Sequence, residues 1–486
     1  MQQQPIILVF YQNLRFHDQP LLLEVLQHTQ PIIPIFINDP KVIERLGEAS
    51  QWWLYQSIRA FKQQWKSAYN IELILRTGDS VRVLQQLLQE TNANKIYLGK
   101  RYTKLEREID ERIYEELNRD GITIKFFNTH LLFEPANIKN QQGNSFQIFT
   151  PFWKTCLTKT IEADLPAPDH IFNGYNQPIN SDDLSDWKWG HSQAAWTRKL
   201  ANHWHLSELA ALNKLAIFLK NSLAGYNNNR DLIASPSFSS QLSPYLRWGQ
   251  ISAKKIFNEV IHTMERDPTI QQDGNTFLKE IGWREFSYYL LYHHPSMQEV
   301  PLNKRFQDFP YENNLSLLEK WQKGTTGFPI IDAGMRQLWL EGWMPNRLRM
   351  IVASFLIKDL LINWQFGQAW FIDTLVDADP ANNANSWQWV AGCGTDASPY
   401  FRIFNPITQG KKFDSEGKYI RKYVPELKDL PTKYIHQPWE MPITLQEEYN
   451  VIIGKDYPHP IVDHTIQKNK ALDCWKEFKG KGYLAG

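Results

Sequence analysis

The sequence predicts an α/β half, a connector, and an all-helical half. Three observations lead there. Within the first 130 residues, short β-branched runs alternate with amphipathic segments, the pattern of a parallel sheet covered by helices. From about Thr129 to His205 the hydrophobic period is lost, and Pro166, Pro168, Pro178, Asn180 and Ser181 punctuate the chain. From Leu206 onward helical spacing returns. The expected division is 1–130, 131–205 and 206–486, since 486 residues are too many for one ordinary core.

The runs that read as strands are Ile6–Phe10, Ile32–Ile37, Ile71–Leu75, Lys95–Leu98 and Ile122–Phe127. Between the last two, Leu105, Ile109, Ile113 and Leu117 recur every fourth residue with charges elsewhere, a helix with one apolar face. No GxGxxG follows the first run and no Walker sequence occurs, so a standard dinucleotide or triphosphate site in this half is unsupported. In the last part helices are expected over Leu206–Leu223, Ala253–Glu265, Thr276–His293, Leu315–Gln322, Pro329–Glu341 and Arg347–Asn363.

Composition narrows the class. The chain is 42% hydrophobic and 22% charged, as ordinary soluble proteins are. A net charge of +1 does not exclude nucleic acid, because binding depends on where the cations lie. There are 19 Trp, which packing usually explains and a flat ligand or redox traffic can also explain. Cys156, Cys393 and Cys474 are far apart and form no CxxC or Cys/His cluster, so neither a metal site nor a disulfide framework is expected. Met1–Phe10 has no basic stretch before its apolar run and reads as a strand, not a signal peptide. No apolar stretch reaches membrane length; Met350–Leu361 is broken by Lys358 and Asp359. A cytoplasmic, metal-free monomer is expected.

Four segments of the helical half carry most of the chemistry. Tyr226–Arg230 is followed by Ser239, Ser240, Gln241, Leu242 and Ser243 before Pro244. Hydroxyls ahead of a helix suit a phosphate, and they suit plain N-capping more often. In the second segment Glu280 and Trp283 lie three apart on one helix face. A carboxylate beside an indole can bond a base edge and stack on its ring, or can belong to a capped helix with a core Trp. The third runs from Trp343 to Met350; its Arg347 and Arg349 point to different faces. The fourth runs from Asp377 through Asp379, Asn383, Trp387 and Trp389 to Pro406. So many Asp, Asn and Trp make a poor generic core, because buried polar groups need partners.

These four segments, in this order, resemble the photolyase/cryptochrome family. The resemblance continues through Thr408–Asp414 and Val424–Leu427. It includes Tyr11–Asp18, with Gln12 and Asn13 where Arg-Asp is usual, and covers nearly the whole chain. It implies a Rossmann-like parallel-sheet antenna domain, a connector and a C-terminal all-helical FAD-binding domain. Its closest pattern is that of bacterial cyclobutane pyrimidine dimer photolyases. Tyr226 and Ser239, Ser240, Gln241, Leu242 and Ser243 would hold the diphosphate side of FAD. Gln241 stands where many relatives carry Arg, and Ser239 where many carry Thr. Arg349 would pair with Asp377 beside the isoalloxazine, Asp379 would lie along the flavin edge, and Asn383 would face N5. An amide there adds no charge, whereas a carboxylate would oppose anionic reduced flavin. Asn383 therefore favours repair by FADH⁻ over the plant-type photoreceptor, which carries Asp.

The resemblance further implies that Glu280, Trp283, Asn346, Met350 and Trp389 line the pocket for a dimer in UV-damaged DNA. Photolyases are among the enzymes known to flip their target out of the duplex, at an expense of a few kcal/mol. Relatives acting on (6-4) products carry a His pair where Asn346 and Met350 stand, so that proton chemistry has no obvious donor here. Arg230, Arg347, Arg402 and Lys412 match or flank phosphate-contacting positions; for any single one the other reading is a solvated surface cation. Trp387 and Trp364 match the first two members of the family's photoreduction chain, and Tyr311 replaces the third Trp. Glu106 matches a folate-contacting Glu, although Leu105 replaces the neighbouring Asn and a charged, solvated helix face beside Arg107 is the better explanation of it. The stretch Gln147–Lys154 resembles the connector of folate-binding members, which implies 5,10-methenyltetrahydrofolate as antenna. A blue-light photoreceptor without repair activity and a (6-4) photolyase are the alternatives; the chain's end at Gly486, without a long extension, favours repair.

Overall fold

The computed structural model describes residues 3–169, 172–189, 195–234 and 238–480. Met1 and Gln2 of the first expected strand segment, residues 170–171 and 190–194 of the connector, and the end at Gly486 lie outside them. Five strands form one parallel sheet in the order β3-β2-β1-β4-β5: β1 Ile6–Phe10, β2 Ile32–Asn38, β3 Ile74–Thr77, β4 Lys95–Gly99 and β5 Thr123–Phe127. Every residue of β1 and β2 is buried, which is why they read as unbroken apolar runs. The third strand pairs three residues later than expected. Ile35–Asn38 of β2 meet Ile74–Thr77, while Ile71 and Leu73 are buried ahead of that ladder.

Helices Glu48–Tyr69, Ser80–Thr91 and Lys104–Leu117 belong to this half. Ile109, Ile113 and Leu117 join Ile7, Val9, Ile33 and Ile96 in one core cluster, as the four-residue spacing requires. Trp52, Trp53 and Trp65 all turn inward, so much of the indole content is packing. The buried Trp53 Nε1 donates to Gln250 Oε1 at 3.0 Å, which removes the penalty of an unpaired donor.

Packing divides the chain into two compact units interleaved in sequence. The first holds Met1–Ala224, Ser240–Ser296 and Val376–Ala381; the second holds Gly225–Ser239, Met297–Leu375 and Asn382–Gly486. In the first unit the connector is not wholly irregular, since Phe149–Cys156 and Ala195–His203 are helical. Phe149–Cys156 packs against the helix Gln271–His293 at Gly282, where a Cβ would fall 2.7 Å from the Trp153 ring. The missing side chain makes the room that indole occupies.

In the second unit Pro329–Glu341 forms the helix expected of it. The helix expected over Arg347–Asn363 is different: α-helix over Asn346–Ser354, then a π-helical turn over Phe355–Asp359, with Leu361 left-handed at φ 49°. The wide turn carries two buried charges with partners. Lys358 Nζ donates to the Arg402 carbonyl at 2.8 Å, and Asp359 Oδ1 pairs with His464 Nδ1 at 2.5 Å. Such turns are rare and mark places where ordinary helix cannot serve.

Burial pushes the Lys358 amine down to about 7, against the pull of Asp359. The unfolded chain binds this proton below the ordinary lysine value, the folded chain only below about 7. Stability should therefore rise with pH between those limits. Lys358→Met is expected to flatten that rise, whose full amplitude is on the order of 5 kcal/mol. Melting curves across the range check it, and an unchanged slope would assign the titration to another group.

Candidate functional site

In the first unit the segment Val376–Ala381 is fastened by four side chains. Ser243 Oγ donates to Asp377 Oδ2 at 2.6 Å, and Tyr288 OH donates to Asp379 Oδ2 at 2.6 Å. Arg247 Nε donates to the Ala378 carbonyl at 3.1 Å, and Trp248 Nε1 to the Val376 carbonyl at 3.2 Å. Asp379 Oδ1 also accepts from Ala381 N at 3.0 Å. Both carboxylates are buried and so depend on such donors. The Ser243 proton is thereby committed to Asp377. Gln241 sits at φ 50°, and its Oε1 accepts from Lys214 Nζ at 2.8 Å; Ser240 Oγ accepts from Leu242 N at 3.4 Å.

Arg247 is 4% exposed, yet its Nη1 has no hydrogen-bond partner among the described residues. A buried cation with an unused donor, bonded to the stretch that holds two carboxylates, suits a ligand's carbonyl or anionic oxygen. On that observation the residues fit the flavin nucleotide that the resemblance implies. Sequence reading missed Arg247 and Tyr288. The signal for Arg247 was a lone charge inside the apolar run from Tyr245 to Ile251.

On the helix Gln271–His293, Glu280 and Trp283 are both half-buried. One indole face of Trp283 is covered by Phe149, with centroids 3.9 Å apart and planes at 11°, and Phe286 meets the indole edge-on at 5.9 Å. One residue further, Arg284 Nη1 donates to the His130 carbonyl at 3.0 Å and Nη2 contacts His130 Nε2 at 2.7 Å. A guanidinium only donates, so Nε2 accepts and the imidazole is neutral. Burial, reinforced by Arg284, holds His130 well below the usual histidine range. Glu285 accepts from Leu132 N at 2.8 Å and Phe133 N at 3.3 Å. Burial raises its carboxyl to about 7, against the pull of Arg284 and those amides.

Glu106 is not on a solvated face. It is 6% exposed and closes a capping box with Thr103, and its Oε1 accepts from Gln12 Nε2 at 2.8 Å. The first-turn position draws its carboxylate back onto the Thr103 N–H.

In the second unit Tyr226 is buried, and Ser239 is half-buried. Arg349 Nε donates to the Met344 carbonyl at 2.8 Å. Asn383 is 8% exposed, and its Nδ2 donates to the Gln368 carbonyl at 3.1 Å. Asn346 is exposed, with Nδ2 4.0 Å from Met350 Sδ one turn on. Trp389 is half-buried. Trp387 and Trp364 are fully buried. Trp387 meets Phe371 edge-on at 5.0 Å and crosses the helix Trp364–Thr374 at Gly367. The Tyr311 hydroxyl is buried with no hydrogen-bond partner among the described residues, and burial holds its proton far more tightly than usual. An oxidised phenol gives up its proton, so an outer-donor role would need an acceptor that those residues do not supply.

The four candidate cations all lie in the second unit. Arg230, Arg402 and Lys412 are exposed. Arg347 is half-buried; its Nη2 pairs with Asp231 Oδ2 at 2.5 Å and its guanidinium lies 4.8 Å from the Phe413 ring. Among the described residues no group of three or more His, Cys, Asp and Glu could hold a metal ion, and no helix is long and apolar enough to cross a membrane.

Residues 6–169 match the family model described as DNA photolyase, and residues 277–477 match that described as the FAD binding domain of DNA photolyase. The chain is 42% identical to the deoxyribodipyrimidine photo-lyase of Agrobacterium fabrum, over 98% of each. It is 33% identical to Cryptochrome-1 of Arabidopsis thaliana, over 94% of this chain and 68% of that one. Its fold matches the crystal structure of a bacterial class III photolyase from Agrobacterium tumefaciens with a TM-score of 0.94 and 40% identity, covering 99% of this chain and 98% of that one. With both models matched in order on one parallel-sheet half and one helical half, the chain belongs to the photolyase/cryptochrome family.

Proposed function

We propose that the protein repairs cyclobutane pyrimidine dimers in UV-damaged DNA under blue light, as a deoxyribodipyrimidine photo-lyase of the cytoplasm. The observation that carries this reading is Asn383. Its amide is buried and bonded to a backbone carbonyl, so it meets a ligand as a fixed, uncharged group. That environment suits an anionic reduced flavin better than a carboxylate would. Asn346 and Met350, neighbours on one helix, supply no acid for (6-4) chemistry.

When bound, reduced FAD would supply the photoexcited electron that splits the dimer and is then returned. The chain's own residues bind and orient. Arg349 and Asp377 would flank the isoalloxazine, and Tyr226 with Ser239–Ser243 would hold the diphosphate. Trp283 and Trp389 would stack on the flipped dimer, while Glu280 and Asn346 bond its base edges. Arg230, Arg402 and Lys412 would hold backbone phosphates, and Arg347 less so because Asp231 already engages it. Trp387 and Trp364 would recharge the flavin. Residues 1–130 would carry the antenna, for which 5,10-methenyltetrahydrofolate is proposed, 131–205 the connector, and 206–486 the flavin and lesion sites. The protein would act as a monomer.

The test is illumination of the reduced protein with a dimer-containing oligonucleotide. Recovery of thymine absorbance is expected in the light and not in the dark. Full reduction without recovery would sink the proposal and favour the photoreceptor. Glu280→Ala is expected to weaken lesion binding or lower repair yield about tenfold, as losing a hydrogen bond to a charged group does. If it does neither, the lesion pocket is elsewhere.

A further inference from the structure

We infer that Tyr288 is a positioning residue for Asp379, held at its own angle by His130 and Arg284. The inference rests on the proposal that Asp379 lies along the flavin edge. Tyr288 is 2% exposed and sits one turn after Arg284 on the helix Gln271–His293. Its hydroxyl donates to Asp379 Oδ2 at 2.6 Å, while Ala381 N occupies Oδ1 at 3.0 Å. Two donors on two oxygens fix the plane of a carboxylate that one donor would leave free to turn.

The phenol ring is itself clamped. His130 meets it edge-on at 4.8 Å and 76°, Tyr102 does so at 5.8 Å and 75°, and the Arg284 guanidinium stands 5.1 Å from its centroid. His130 comes from the segment that follows β5 and is bonded by the same Arg284. The sheet half thereby sets the angle at which the hydroxyl is presented. Burial holds the Tyr288 proton on, so the group is a donor throughout the working pH range.

The adjacent Tyr289 provides a matched comparison. Its hydroxyl donates to the Ile138 carbonyl at 3.0 Å and accepts from Phe146 N at 2.9 Å. Those partners are backbone, so its role is to hold the connector. Two neighbouring phenols on one helix thus serve a carboxylate and a chain segment respectively.

The test uses the FAD-loaded protein and reads FAD dissociation, the flavin visible spectrum and its midpoint potential. Tyr288→Phe is expected to weaken FAD about tenfold and to shift spectrum and potential. Tyr289→Phe should lower the melting temperature and leave all three flavin readouts in place. In an Asp379→Asn background, Tyr288→Phe should add less than about twofold, because coupled residues are not additive. Should Tyr288→Phe fold poorly, 3-fluorotyrosine at 288 keeps the shape and is expected to shift the potential in the opposite direction. If Asp379→Asn moves the flavin properties while neither change at 288 does, the positioning role is overturned. If Asp379→Asn itself moves nothing, the placement of Asp379 at the flavin fails and takes the inference with it.

Discussion

Asn383→Asp is expected to slow light-driven repair at least tenfold at neutral pH, with the loss growing as pH rises. The native amide is 8% exposed and donates to the Gln368 carbonyl at 3.1 Å. An ionised Asp cannot donate, so it would set a buried negative charge against that carbonyl oxygen. Burial raises such a carboxyl's pKa, and at low pH the protonated acid restores a neutral donor. As pH rises through that raised value the charge appears and opposes an anionic reduced flavin. A penalty of about 1.4 kcal/mol already gives the tenfold change. Single-turnover repair by the reduced variant and its parent from acid to mildly alkaline pH is the check. The ratio should widen with pH, and flavin reduction should become harder. Equal turnover with equal redox behaviour would remove the role assigned to this amide.

Gly367→Ala should cost much stability for a single added carbon. A Cβ there would fall 2.1 Å from Trp387 Cη2, 2.5 Å from its Cζ3 and 2.6 Å from Leu356 Cδ2. The indole is enclosed by Phe371 and Trp321, so it cannot yield without moving its neighbours. Alanine's better helix propensity returns only about 1 kcal/mol, while overpacking costs about 1–3 kcal/mol and more where rigid rings collide. The variant should melt earlier. Its flavin should also photoreduce at least tenfold more slowly, because Trp387, proposed as the first Trp of the recharging chain, has been displaced. Repair by chemically pre-reduced variant should survive. Normal photoreduction with a lowered melting temperature would show that Trp387 is packing and no more.

Periodicity made the sheet half readable because buried strands leave apolar runs and its helices keep one apolar face. Its error, the third strand, arose where Ile71 and Leu73 are buried without being paired. Apolar content reports burial, and the ladder is decided by β2. The π-helical turn at Phe355–Asp359 was legible only as two odd charges, Lys358 and Asp359, inside an apolar run. Their partners, the Arg402 carbonyl and His464, lie too far along the chain for any local pattern. Motif resemblance singled out Asp377 and Asp379 but could not name the groups that fasten them. Tyr288 and Arg247 are 91 and 131 positions away from their partners. Glu106 illustrates the converse: its capping-box spacing from Thr103 is in the sequence, but the charges beside it read as a solvated face.

The fastening of Val376–Ala381 to Ser243, Arg247, Trp248 and Tyr288 has a consequence for synthesis. The first unit is made mostly of the chain's early residues, yet it needs a late piece. On the ribosome, at roughly 5–20 residues per second, everything up to Ser296 is available several seconds before Ala381 is translated. During that interval the four donors wait for acceptors not yet made. A nascent chain stalled before Asp377 is therefore a poor candidate for independent folding, and chaperones would meet it at that length.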